Sequence, residues 1–188
     1  MSWVFRAWVD CAYYRDIYEV NTTRIVTLGE ISSNFVRISS NINRASNPNY
    51  THLIETSIDN INNLTNYNNE LLAMYEALID DYVFAAAQYK ELLNLFSNQK
   101  EACNKIIESL VAGDYEQAGI IDDEEFRPIL TAIYNQIAQL IDFEKATVEM
   151  MSRQAEEDYY HRTASTVIMV VSSLTLHFLV LFLIFPRV

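Results

Sequence analysis

The sequence is poor in the residues that interrupt helices, since its 188 residues include only 3 glycines and 3 prolines. Glycine and proline punctuate almost every architecture other than long helices. The chain is long enough for one domain with a modest hydrophobic core. These shortages together predict an all-α protein.

Positive charge is scarce as well. There are 13 Lys and Arg residues against 25 Asp and Glu residues, so the formal net charge is −12 at pH 7. A protein that binds nucleic acid needs the opposite sign to neutralise phosphates, so we expect no nucleic-acid partner. An acidic surface serves solubility, although it also suits a cationic ligand.

Signatures of catalysis and of metal binding are missing. The two cysteines, Cys11 and Cys103, form no CxxC motif and accompany no histidine cluster with metal-ligand spacing. They are either two small apolar side chains or a disulfide. The sequence has no Ser/His/Asp or Cys/His set, Gly-rich phosphate loop or HExxH motif. We therefore expect no enzyme, no cofactor and no metal site.

A long apolar run is present near the end of the chain. Residues 164–185 carry no formal charge when histidine is neutral. About 22 residues at ~1.5 Å rise extend about 33 Å, enough to cross the hydrocarbon core of a bilayer. We predict a transmembrane helix over residues 163–186. Arg6 and Asp10 interrupt the apolar residues of 1–16, so we expect neither a span nor a signal peptide there.

Three interruptions divide the rest of the chain into four helical segments, and they are centred on Pro48, on Asp80 with Asp81, and on Gly113. At the first, either Asn47 or Asn49 is placed to cap the following helix. At the third, Gly113 ends a helix and Asp114 caps the next. Gln117 lies three residues further on, as in a capping box.

Each segment carries apolar residues at alternating spacings of three and four, which places them on one helix face. We call these four sets the core stripes, and they extend over Leu28–Ile42, Ile54–Leu78, Ala85–Leu110 and Leu130–Met151. Four such helices with short connections predict an antiparallel four-helix bundle. Asn68 and Gln99 occupy stripe positions, where they either fix the register of the helices or line a cavity.

The last segment has no glycine or proline after Pro128 before the apolar run ends. We therefore predict that the fourth helix continues directly into the transmembrane helix. Pro128 itself lacks an N–H and should kink or loosen that helix near its start. The predicted organisation is a short N-terminal remnant continuous with the first helix (1–16), the bundle (17–162) and the transmembrane helix (163–186).

Three stretches of the chain carry a resemblance to a known family. They are IYEVNTTRIVTLGEISSNFVRISSNI, YKELLNLFSNQKEACNKIIESLVAGDYEQA and FRPILTAIYNQIAQLIDFEKATVE. Their order and the turn between them resemble the four-helix-bundle sensor domain of methyl-accepting chemotaxis proteins and related bacterial transmembrane receptors. None of the three stretches is a catalytic signature.

The resemblance implies a homodimeric bundle outside the cytoplasm, anchored in the lipid bilayer of the cell membrane. It implies two flanking spans and a cytoplasmic signalling part, and we expect this chain to depart from that pattern by lacking a full first span and the signalling part. The role expected from the resemblance is a sensor that relays ligand or partner binding by helix displacement.

The resemblance implies that a small-molecule ligand can bind at the membrane-distal end of the bundle. Arg37, Asn41 and Arg44 recur at spacings of four and three, so they share one face of the first helix, and Asn34 adjoins that face. Two guanidinium groups on one face suit bidentate binding of a carboxylate. The alternative is an ordinary solvated helix face.

Charge near the predicted span favours a second interpretation. Lys145, Arg153 and Arg162 precede the span closely, whereas Arg187 follows it. By the positive-inside rule this distribution favours a cytoplasmic N-terminal side. The alternative is therefore a tail-anchored helical scaffold or tethering protein on the cytoplasmic face.

Overall fold

The computed structural model describes the backbone of residues 3–79 and 83–184 and the side chains of residues 18–79 and 85–180. Within those ranges every regular element is helical: α1 (Trp3–Ala45), α2 (Ile54–Leu78), α3 (Val83–Val111), α4 (Tyr115–Ile121) and α5 (Arg127–Ile184). A 3-10 turn, Pro48–Leu53, precedes α2, and a π-helical turn, Asp122–Phe126, joins α4 to α5. The predicted all-α four-helix bundle is confirmed, and α4, the π turn and the first part of α5 make its fourth helix.

Two of the three predicted interruptions lie where the structure describes the chain. After α1, the side chain of Asn47 accepts a hydrogen bond of 3.0 Å from the backbone N–H of Asn49. After α3, Gly113 adopts a left-handed φ of 77°, a conformation that favours glycine. Asp114 then caps α4 by accepting a hydrogen bond of 3.0 Å from the backbone N–H of Gln117. The third predicted interruption, Asp80 with Asp81, lies outside the described residues.

The π turn explains how the fourth helix accommodates Pro128. Proline has no N–H, and its ring would clash with the carbonyl four residues earlier, that of Glu124. Directly before it, the backbone N–H of Arg127 bonds to the carbonyl of Asp122, five residues back. The helix therefore loosens near Pro128 through one wider turn.

The chain divides into two compact units, and the first of them is the bundle. This unit comprises Arg15–Ala146, and the other comprises Met1–Tyr14 with Thr147–Val188. The helices of the bundle are antiparallel neighbours, as the hydrogen bonds between them show. Asn60 on α2 bonds to Asn41 on α1, and further along α2, Asn68 bonds to Asn34, which comes earlier on α1. The order along α1 and α5 is likewise reversed, with Arg127 bonded to Asn43 and Glu144 bonded to Arg24.

The core stripes meet inside this bundle. Every residue of the first stripe is fully buried, and so are most members of the others. Phe35 on α1 packs edge-on against Phe96 on α3, with ring centroids 4.8 Å apart. Asn68 and Gln99 are both buried, at 1% exposure. The bond from Asn34 to Asn68 ties α1 to α2 at one level, which supports the register role for Asn68.

The C-terminal part of α5 differs from the rest of the chain in its exposure. Among the described residues, one helix is long and apolar enough to cross a membrane, and none of its most apolar window is buried. Its exposed apolar side chains include Val167, Met169, Leu176, Phe178 and Leu179. This segment coincides with the transmembrane helix predicted over 163–186, and α5 reaches it without a break from Arg127.

Candidate functional site

A groove lies between α1 and α2, near the ends of these helices that border the Pro48–Leu53 turn. Its volume is about 500 Å³. Its lining consists of Arg37, Ser40, Asn41 and Arg44 from α1 and Asn60, Asn63, Leu64 and Tyr67 from α2. Three of the four binding residues predicted from the sequence therefore line one groove.

The α2 side of the groove was not predicted from the sequence. Asn60, Asn63 and Tyr67 are exposed on α2, whereas Leu64 between them is buried and belongs to a core stripe. The stretch NINNLTNYNN over residues 60–69 holds an unusual number of asparagines for a helix, where asparagine is a poor former. Asparagines that disfavour the helix in which they lie were the available signal for a functional surface on α2.

Hydrogen bonds hold two of the groove's amides in place. The amide nitrogen of Asn41 donates to the backbone carbonyl of Arg37 at 2.8 Å. The amide nitrogen of Asn60 donates across the groove to the carbonyl oxygen of Asn41 at 3.4 Å. The two helices are thereby bridged at the groove, with the guanidinium groups of Arg37 and Arg44 on the same side of α1.

Asn34, the fourth residue predicted to bind a ligand, lies behind the groove and does not line it. It is 2% exposed, and its amide nitrogen donates to the side-chain oxygen of Asn68 at 2.9 Å. Its own side-chain oxygen accepts a hydrogen bond of 3.4 Å from Nη1 of Arg37. Asn34 therefore orients one of the two guanidinium groups from the protein interior.

The electrostatics of the groove contrast with those of the chain. No acidic residue belongs to its lining. Among the described residues, neither Arg37 nor Arg44 forms a salt bridge, although the net charge of the protein is −12. Other cations such as Lys105, Arg127 and Arg153 are each paired with a carboxylate. The groove is a locally positive site on an acidic protein.

Tyr67 at the rim is fixed by a neighbouring carboxylate. Its hydroxyl donates a hydrogen bond of 2.8 Å to Oε1 of Glu30 on α1. That bond raises the pKa of Tyr67 above its ordinary value, because ionisation would place two negative charges together. The phenol therefore stays neutral, and the pair ties α1 to α2 beside the groove.

The chemistry of the groove suits a small anion. Guanidinium forks bind carboxylates with two parallel hydrogen bonds, and amides supply further donors and acceptors. Among the described residues no three His, Cys, Asp or Glu side chains come together as metal ligands. Cys103 is a free, buried thiol whose pKa is raised to about 12 by burial, and Cys11 lies outside the described side chains.

Comparison with known proteins identifies a family for most of the chain. Residues 12–159, which include every residue that lines the groove, match a family described as a four helix bundle sensory module for signal transduction. A comparison with curated proteins finds no match.

Proposed function

Because this chain belongs to the family of four-helix-bundle sensory modules for signal transduction, we propose that it is the extracytoplasmic sensor of a chemoreceptor-like transmembrane protein. The proposed role is to bind a small carboxylate in the groove between α1 and α2 and to relay that binding towards the membrane. The observation that carries the proposal is the pair Arg37 and Arg44, both without a salt bridge among the described residues, in a groove lined by no acidic residue.

Ligand selection follows from the composition of the groove. An exposed guanidinium attracts any anion, but a carboxylate satisfies both arms of the fork at once. Two helical turns, about 10.5 Å along the axis, separate residues 37 and 44. A ligand with two anionic groups, or with one anionic group and several hydroxyls, suits this spacing and the amides between the two arginines.

Relay to the membrane would use α5. One helix, Arg127–Ile184, contains both bundle residues and the apolar segment. Shifts of about 1–2 Å are typical of interface helices that change between two states. A ligand moves such an equilibrium only through its different affinities for the two states, so the groove must differ between them.

We also propose that the sensor works as a homodimer through the exposed face of α1. Val26 and Val36 are 60% and 58% exposed on that face, and Gly29 and Ser33 between them are exposed too. The face carries no charge at these positions. An uncharged face with exposed valines favours helix-to-helix contact between two copies over solvation.

Ligand binding is tested on the full chain in lipid nanodiscs by calorimetric titration with succinate, citrate and benzoate. We expect at least one of these probes to bind, and Arg37→Gln with Arg44→Gln to weaken it about tenfold or more. The matched control is Lys90→Gln with Lys100→Gln, which removes the same charge from exposed positions on α3. Equal affinity in the two double variants would refute the groove as the site.

The relay is tested by disulfide cross-linking between copies in membranes, using Met151→Cys and, separately, Val167→Cys on α5. A probe that binds in the titration should change the cross-linking rate at both positions. Unchanged rates at both positions with a bound probe would exclude displacement of α5 as the signal.

Topology decides between the sensor and the tail-anchored scaffold. Ser97 is exposed on α3, so Ser97→Cys in a chain without its native cysteines gives one accessible thiol. Labelling of intact cells by an impermeant maleimide is expected for the extracytoplasmic sensor. Protection until the cells are lysed would instead establish the cytoplasmic scaffold.

A further inference from the structure

A buried ion pair joins α1 to α5 inside the bundle. Nη1 of Arg24 lies 3.4 Å from Oε2 of Glu144, and the two side chains are 4% and 0% exposed. Every other salt bridge among the described residues has at least one partner that is 43% exposed or more. Among the salt bridges of the described residues, Arg24–Glu144 is therefore the one in which both side chains are shielded from solvent.

Two further side chains belong to the cluster. The hydroxyl of Tyr75 on α2 donates a hydrogen bond of 3.1 Å to Oε1 of Glu144. Nη1 of Arg24 also donates to Oδ1 of Asn21 on α1, at 3.1 Å. Both carboxylate oxygens of Glu144 thus have a donor, one from α1 and one from α2. The cluster fixes α5 against two neighbouring helices at a single level.

Stability does not account for an ion pair at this position. Moving two charges out of water carries a desolvation penalty that their attraction often fails to offset, and apolar pairs of similar volume are frequently as stable. What a buried pair does provide is positional selectivity, because separating the partners leaves each charge buried without its counterpart. The apolar stripes lack this selectivity, since apolar contacts are non-directional.

We propose that the Arg24–Glu144 pair is a register lock, which holds α5 at one axial position against α1 until ligand binding displaces it. A shift of about 1–2 Å, of the size typical of helix movements at interfaces, would lengthen the 3.4 Å pair beyond the range of a direct ion pair. Sliding of α5 without ligand is therefore opposed by the cost of separating two buried charges. The displacement by ligand rests on the proposed function, whereas the lock itself is a property of the bundle without ligand.

The experiment measures the axial position of α5 directly. Spin labels are placed on exposed positions of α1 and α5 in full chains without native cysteines, diluted into unlabelled chains in nanodiscs. One chain carries Asn43→Cys with Gln139→Cys, and a second carries Thr22→Cys with Asn135→Cys.

The facing pairs Arg24–Glu144 and Asn43–Arg127 show that the α5 label is offset along the axis towards Arg24 in the first chain and towards Asn43 in the second. Sliding of α5 therefore lengthens one distance and shortens the other, whereas loosening broadens both.

The lock is removed by Arg24→Met with Glu144→Leu in a Tyr75→Phe background, so that the buried hydroxyl of Tyr75 is not left without its acceptor, and Tyr75→Phe alone is the reference. We expect the melting temperature to be kept, and the two distance distributions to shift in opposite directions by about 1–2 Å. The control, Lys105→Met with Glu125→Leu, removes a half-exposed pair and should leave both distributions as in the wild type. Should the apolar variant not fold, Arg24→Gln with Glu144→Gln, which leaves no buried charge and keeps an acceptor for Tyr75, provides the comparison with the wild type.

The outcomes separate the lock from the proposed function. Distributions that do not change when the pair is removed would overturn the lock, because apolar packing alone would then set the register. Wild-type chains are also measured with succinate, citrate and benzoate. A lock that is verified without ligand, together with no response to any probe that binds, would refute the relay and leave the lock in place.

Discussion

Tyr75 and Tyr89 pack against each other between α2 and α3, with ring centroids 5.7 Å apart and planes inclined by 44°. Each phenol is also hydrogen-bonded, Tyr75 to Oε1 of Glu144 at 3.1 Å and Tyr89 to the backbone carbonyl of Leu72 at 3.1 Å. Burial, followed by the charge of Glu76, raises the pKa of Tyr89 to about 12. Burial and the charge of Glu144 raise the pKa of Tyr75 still further.

These shifts predict a loss of stability at alkaline pH. An unfolded tyrosine loses its proton near pH 10, whereas folded Tyr89 keeps it until about pH 12. The contribution is therefore fully present below pH 10 and falls between pH 10 and 12. We expect the melting temperature of the wild type to fall more steeply over this window than that of Tyr89→Phe. Parallel curves for the two proteins would contradict the prediction.

Removing one hydroxyl tests the donor to the buried carboxylate. Tyr75→Phe takes a hydrogen-bond donor from Glu144, so we expect the free energy of unfolding to fall by about 1–3 kcal/mol. That corresponds to roughly 2–12 °C in melting temperature for a chain of this size. Thermal circular dichroism in detergent micelles measures it. Tyr134→Phe is the control, since no hydrogen bond of the Tyr134 hydroxyl is found within the described residues, and it should change the melting temperature little.

Two glycines should respond to alanine in opposite directions. Gly113 has a φ of 77°, so Gly113→Ala should destabilise the turn between α3 and α4 by about 1–2 kcal/mol. Gly119 lies within α4 and an added Cβ would meet nothing within 4 Å. Gly119→Ala should therefore stabilise the protein by about 0.5–1 kcal/mol. Thermal melting of the two variants side by side gives the comparison, and a stabilising Gly113→Ala would contradict the conformational argument.

The proposed dimer is tested by adding bulk to the exposed face of α1. Gly29 is exposed and a Cβ there would meet nothing within 4 Å, so a side chain can leave the helix at this position, and Gly29→Trp adds bulk to the face. We expect the dissociation constant of the dimer to rise about tenfold or more, measured by sedimentation in detergent, with the melting temperature kept. Ala77→Trp, at an exposed position on α2, is the control and should leave association unchanged.

The helical periodicity of the sequence was sufficient to predict which faces are buried. Leu28, Ile31 and Phe35 recur at the spacing of one helix face, and all three are fully buried. The cap at Asp114 was equally predictable, because its signal is local and the residues that make it are adjacent. Features that depend on a single stretch of helix were therefore accessible before the structure.

Features that depend on contacts between two helices could not be predicted from the sequence. Glu144 follows the spacing of Ile137 and Leu140 in the fourth core stripe, but its partner Arg24 lies 120 positions away and outside the first stripe. Periodicity gives the inward direction of each helix without giving its axial level against a neighbour. For the same reason α2 was missing from the predicted site, since nothing local indicates that Asn60 lies opposite Asn41.

Asn34 shows a smaller difference of the same kind. It adjoins the face of Arg37 and Asn41, as its spacing predicts, yet it is 2% exposed and bonded to Asn68. A helix face has no sharp edge, so a residue beside the buried stripe turns inwards when the neighbouring helix offers a polar partner. The sequence pattern alone cannot place such a boundary residue.

The π turn at Asp122–Phe126 has the form of a one-residue insertion in an otherwise continuous helix. Removing one residue from it would restore ordinary α-helical bonding, which turns everything on one side by about 100° about the helix axis. Ala118 and Ile121, buried in α4, would then rotate away from α3, and Pro128 would meet an intact carbonyl row. Insertion or deletion of a single codon at this turn would thus rotate α4 about the helix axis while α5 keeps its own contacts.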